Sequence, residues 1–127
     1  MITGSAGNQA DNPTAIRIMR KIEAEMIKAI RERRNYRCAN TVVDQADPAN
    51  GYAEVRLHGS RIARLNYLNG IIEFDDCGYR TDTTKSRLNA LINAFTKPGQ
   101  AIYQRNFEWF WNGGQAWDGG GLAMLRI

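Results

Sequence analysis

The chain has 127 residues, with 17 Lys and Arg against 13 Asp and Glu, which makes it one domain's worth of sequence carrying a formal charge of +4. With 24% charged and 43% hydrophobic residues it has a globular rather than a disordered composition, and its mild basic excess permits an anionic partner without specifying one. Cys38 and Cys77 form no C-x-x-C pair and His58 is the sole histidine, which disfavours structural zinc, and no apolar run is long enough to span a bilayer.

The stretch MITGSAGNQADN, residues 1–12, is expected to be a flexible arm. It lacks a basic segment followed by an apolar one, so no secretory signal is expected, and the two cysteines are expected to be reduced inside a cell. Residues 13–127 are expected to form a single α+β domain. A long helix is predicted over 13–34. Asp11 or Asn12 caps it, Pro13 suits the first turn, and Ala15, Met19, Ile22, Met26 and Ala29 form an apolar stripe that Ile16 and Ile30 widen. Arg31, Arg33 and Arg34 match the negative end of the helix dipole.

Residues 40–74 read as an antiparallel meander. NTVVD is short and β-branched, DPANG is a turn, and YAEVRLH alternates, with Ala53, Val55 and Leu57 on one face. RIARLNYL alternates in turn, placing Ala63 and Leu65 on one face and Ile62 and Arg64 on the other, before an Asn69-Gly70 hairpin signal and the return strand IIEF. A second helix is predicted over about 83–95, with Leu88, Leu91, Ile92 and Phe95 on one face and KPG stopping it. The aromatic run to Trp117 and the final LAMLRI read as C-terminal strands. A strand starting at Phe107 shares one face among Phe107, Trp109 and Trp111, and LAMLRI is expected to form a last strand pair with QAW.

Few residues suggest classical catalysis. His58 lies in a tight turn, the adjacent Asp75 and Asp76 are weak evidence for a metal, and the glycine run at 119–121 lacks the following lysine of a P-loop. No enzymatic activity, metal or cofactor is expected. An anion site is better founded. Thr81 or Asp82 caps the second helix, whose first turn holds Thr83, Thr84 and Lys85 with Arg87 nearby, while Tyr79 offers a ring for a base. An ordinary capped helix with solvated basic residues explains the same pattern, and spacing alone favours it. The basic residues of the first helix are a second anion candidate, diluted by Glu23, Glu25 and Glu32. The helix itself is a candidate oligomer contact.

The combination of NTVV, VRLHGSRIA and CGYRTDTTKSRLNAL resembles small phage-encoded proteins, and is similar to the phage anti-Thoeris sponge family, over residues 40–95 above all. The resemblance implies a non-enzymatic protein of the host cytoplasm. It would sequester a cyclic ADP-ribose isomer, or a cyclic oligonucleotide, between the subunits of a dimer or hexamer. It implies that Tyr79, in place of a phenylalanine, stacks on a base, and that Asn89 lies in the pocket. Arg56 and Arg105 fall near positions where arginines contact phosphate. The rival expectations are a small phage nucleic-acid-binding regulator and an inhibitor that binds a host protein through the aromatic C-terminal sheet. No membrane association is expected.

Overall fold

The computed structural model describes residues 13–47, 51–112 and 114–126, so the expected N-terminal arm lies outside the described residues. Helix α1 (Pro13–Arg31) is followed by five strands: β1 (Tyr36–Cys38), β2 (Thr41–Asp47), β3 (Tyr52–Leu57), β4 (Ser60–Asn66) and β5 (Ile71–Asp75). Helix α2 (Asp82–Phe95) leads into β6 (Ile102–Arg105), β7 (Glu108–Trp111), β8 (Gln115–Ala116) and β9 (Gly120–Met124). Strands β1 to β5 pair in sequence order, each antiparallel to the next, and β9 closes onto β5 to complete six strands; β6, β7 and β8 form a separate three-stranded sheet. The predicted α+β architecture is the one observed.

Helix α1 stops at Arg31 rather than Arg34, because the chain turns left-handed at Arg33, with φ +56°. The Arg33 N–H donates to Ile30 O and the Arg34 N–H to Ala29 O, a Schellman-type close that satisfies two carbonyls of the last turn. The Arg33 guanidinium then covers the Tyr67 ring at 3.6 Å. Ile22, Met26, Ala29 and Ile30 are buried as their spacing requires, and so are Leu88, Leu91, Ile92 and Phe95 of α2. Each of these larger side chains contributes about 1.5–3 kcal/mol by leaving water. Both helices contribute to one core with one face of the large sheet, through Val43, Val55, Leu57, Leu65, Ile72 and Phe74. Trp109, Trp111 and Trp117 extend the same core from the smaller sheet side.

Four details depart from the sequence pattern. Val55 opposes Ala63 whereas Arg56 opposes Arg61, so Ile62 is an extra residue in β4. That bulge buries Ile62 and Ala63 together instead of on opposite faces. The turn after β4 takes four residues, not the two of an Asn-Gly hairpin, because Asn66 Oδ1 accepts the amides of Leu68 and Asn69 and ends the strand early. Asn106 and Phe107 form a two-residue turn with φ +51° and +68°, so Phe107 is 94% exposed at a hairpin tip rather than in line with Trp109. Finally, β9 bypasses β8 and pairs with β5, so the expected terminal strand pair is replaced by a long-range one.

Candidate functional site

A cavity of about 360 Å³ opens where the β3–β4 hairpin faces the N-terminus of α2. Leu57 and Ile62 give it apolar surface, and His58 and Ser60 border it from the hairpin. Cys77, Tyr79, Thr81, Thr83 and Thr84 line it from the loop that enters α2. The hairpin turn is tight: Leu57 opposes Ser60, and His58 and Gly59 carry φ of +52° and +83°. The Thr41 hydroxyl donates to Asn40 Oδ1 at 2.9 Å, which turns the Asn40 amide nitrogen toward His58 Nε2 at 3.3 Å. The imidazole therefore accepts a hydrogen bond there and is held at the turn.

The facing loop is built by local Asp chemistry. Asp75 Oδ1 accepts the Cys77 N–H and Asp76 Oδ1 the Gly78 N–H, while the Tyr79 N–H donates to Asp76 O. Cys77 and Gly78 both sit at positive φ, +55° and +79°, and a glycine there avoids the steric cost that Cys77 bears. Asp76 is 3% exposed, and its second carboxylate oxygen accepts from Trp117 Nε1 at 2.8 Å and Arg80 Nε at 3.1 Å. Arg80 also donates to Trp117 O. This knot fixes the loop to the segment ahead of β9, where Gly119, at φ +107°, brings its backbone against the Asp76 carboxylate.

Thr81 caps α2. Its hydroxyl accepts the Thr84 N–H at 3.1 Å, and its carbonyl accepts the Lys85 N–H. The first amides of an α-helix have no partner within it, so the start of α2 carries the positive end of its dipole. Cys77 Sγ–H donates to Arg61 O at 3.0 Å. Burial pushes the Cys77 thiol above its ordinary 9.0, and the Asp75 and Asp76 charges push it the same way against Arg61. Such a thiol stays protonated at neutral pH and is a poor nucleophile.

The Kyanoviridae Gp96 protein family matches residues 19–121. The chain belongs to this phage protein family. The match takes in every residue that lines the cavity. No curated protein and no solved structure matches this Gp96 family member. Among its described residues no helix is long and apolar enough to cross a membrane, and no cluster of His, Cys, Asp and Glu has the arrangement of a metal site.

In this family member the residues singled out from sequence separate into two groups. Tyr79, Thr83 and Thr84 come together at the cavity, with Tyr79 64% exposed at its rim. The other five do not line it. Arg87 is 2% exposed inside the core, bound to Glu23 and Thr41. Asn89 Nδ2 donates to Ile102 O and its Oδ1 accepts the Ile102 N–H, each at 2.8 Å, so the amide docks β6 onto α2. Lys85 Nζ reaches Gln104 at 3.2 Å and lies 4.0 Å from Asp82. Arg56 pairs with Glu54 on the opposite face of the sheet from Leu57, and Arg105 lies over Tyr103 and Phe110 on the smaller sheet. Sequence reasoning passed over Leu57, Ser60 and Ile62, whose inclusion depends on the β3–β4 hairpin facing the N-terminus of α2. It weighed Asp76 only as a metal ligand, although the Asp-Cys-Gly order is itself a signal for a side-chain-capped turn.

Proposed function

We propose that this phage protein is a non-catalytic binder that sequesters a cyclic nucleotide signal, such as a cyclic ADP-ribose isomer, in the cavity between the β3–β4 hairpin and α2. The observation that carries the reading is the convergence of Tyr79, Thr83 and Thr84 on one cavity of about 360 Å³ at a helix N-terminus. An exposed ring suits a nucleobase, hydroxyls and free amides suit phosphate and ribose, and Leu57 and Ile62 supply apolar contact. The volume lies near the small end of the ~300–1,000 Å³ range of ligand pockets. It accommodates one nucleoside unit of a cyclic signal, and a second subunit would cover the remainder. A binder is favoured over an enzyme because the Cys77 thiol donates its proton to a backbone carbonyl, and Asp76 is consumed by Trp117 and Arg80. The cations assigned to phosphate from sequence are engaged elsewhere, so the first turn of α2 carries that role in this reading.

Isothermal titration against cyclic ADP-ribose isomers and cyclic trinucleotides tests the proposal. Saturable heat with at least one of them, and recovery of that ligand unchanged after denaturation of the protein, is the expected result. Absence of heat with all of them on folded protein rejects it. Tyr79→Ala is expected to weaken binding by roughly 10- to 100-fold, the scale of one lost base stack. A Tyr79→Ala protein that binds as tightly as the parent moves the site away from this cavity.

A further inference from the structure

Among the described residues the edge formed by β9 is open from Gly120 to Met124, beyond which the Arg126 N–H donates to Phe95 O at the end of α2, in a way the opposite edge is not. At the far side of the large sheet, β1 is only three residues long with the exposed Arg37 at its centre, which discourages another strand from adding. Strand β9, by contrast, is Gly-Gly-Leu-Ala-Met, without a charge or a proline, and its Leu122 and Met124 are 63% and 75% exposed. Its hydrogen-bonding phase follows from the bonds that bracket it. The Leu125 N–H donates to Gly70 O, and Gly119 O accepts the Asp76 N–H. With Ile72 opposite Ala123, the odd-numbered residues face β5, and the backbone groups of Gly120, Leu122 and Met124 point away from the sheet.

We propose that β9 is an interface for a second copy of this chain, pairing antiparallel with the partner's β9 about a two-fold axis at Leu122. This inference is independent of any ligand. The occupant is identified by self-complementarity. Centred on Leu122, the pairing sets Met124 across from the partner's Gly120, so the largest side chain of the strand meets a residue without one. Leu122 lies beside the partner's Leu122, and all three outward-facing residues fall in bonding phase. Asp118 Oδ1 holds the Gly120 N–H only at 3.3 Å, a long contact that a partner carbonyl can replace. Shifting the register by one residue loses the bonding phase, and shifting it by two breaks the Met–Gly match.

The test is the mass of the full chain in solution, measured by sedimentation over a concentration series. The parent is expected to dimerise, and Leu122→Lys to raise the dimer dissociation constant by at least about 30-fold, because it places like charges together at the centre of the interface. Leu122 is exposed, so the variant's circular dichroism is expected to match the parent's. A parent that stays monomeric up to its solubility limit overturns the proposal. So does a dimer that survives Leu122→Lys, which would be held elsewhere, for instance by the exposed Ile18 of α1. The register is read by Leu122→Cys. Bonded cross-strand Cα atoms lie about 5.5 Å apart, within disulfide reach. Mild oxidation is expected to link this variant as a covalent dimer far faster than the parent, and equal rates overturn the assigned register.

Discussion

Arg87 Nη1 lies 2.7 Å from Glu23 Oε2, joining α2 to α1 through a pair whose side chains are 2% and 12% exposed. Ser86 Oγ donates to the same carboxylate oxygen, and Arg87 Nε donates to Thr41 Oγ1 on β2 at 3.1 Å. One guanidinium thus ties both helices to the start of the second strand. Removing one partner leaves a buried charge without compensation, whereas removing both leaves none.

Arg87→Met is accordingly expected to destabilise the protein by about 3 kcal/mol, seen by calorimetry as a fall in melting temperature of roughly 10 °C. Glu23→Leu combined with Arg87→Met is expected to recover most of that loss. An Arg87→Met protein that melts with the parent but loses ligand would return Arg87 to the binding site.

Asn89 has the same kind of role in neutral form. Its two bonds to Ile102, which is 1% exposed, replace a strand pairing that β6 lacks on that side. Asn89→Ala orphans a buried N–H and a buried carbonyl, at about 1–3 kcal/mol each before relaxation. Urea unfolding is expected to show a midpoint lowered by an amount equivalent to about 2–4 kcal/mol. Titration of the folded variant is expected to give the parent's affinity. Loss of affinity without loss of stability would instead support the pocket role that the family resemblance assigns to Asn89.

These two residues show where the sequence was legible and where it stopped. The spacing of Leu88, Leu91, Ile92 and Phe95 requires one buried face, and the structure has it. Arg87 and Asn89 sit beside that face, and nothing in their local pattern distinguishes a solvated basic or amide residue from one buried against Glu23, which lies 64 positions away. The same limit explains β9. Local turn signals point to a neighbouring strand, but the pairing with β5 depends on Trp117 and Asp76 closing the chain over a long range. Phe107 departs from its expected strand for a different reason: Asn106 suits positive φ but an aromatic beside it does not, so the composition of the segment reads as strand where the backbone turns. Of the cavity, the α2 side was readable as capping chemistry, whereas the hairpin side was not, because the bulge at Ile62 brings that side chain inward.

Glu54 gives the protein an acid-sensitive component on the open face of the large sheet. Burial raises its carboxyl, but hydrogen bonds from Arg61 and Arg56, with their charges, outweigh this and hold it below its ordinary 4.5. The carboxylate accepts from Arg56 Nη2 at 2.7 Å and Arg61 Nη1 at 3.0 Å. A group whose folded pKa is depressed adds stability above its unfolded value, and that stability is lost as pH falls through the folded value. Glu54→Gln is expected to be less stable than the parent at neutral pH, with the difference shrinking as pH drops below about 4.5. Chemical denaturation of both proteins across that range checks it. A difference that is constant with pH would mean the arginines stabilise Glu54 through packing alone.

Cys77 offers a chemical reading of the cavity. Its thiol is pushed up by burial and by Asp75 and Asp76, and it donates to Arg61 O, so its thiolate fraction at neutral pH is small. Alkylation by iodoacetamide is expected to be slow at pH 7 and to climb only above the ordinary thiol value of 9.0. Cys38→Ser removes the other thiol, so the reaction can be followed at Cys77 by mass. Because Cys77 lines the cavity beside Tyr79, a ligand that occupies it is expected to slow the alkylation further, in proportion to site occupancy. A ligand that binds by calorimetry yet leaves the Cys77 rate unchanged sits elsewhere on the protein. Fast modification at pH 7 would show instead that the loop opens and frees the thiol from Arg61.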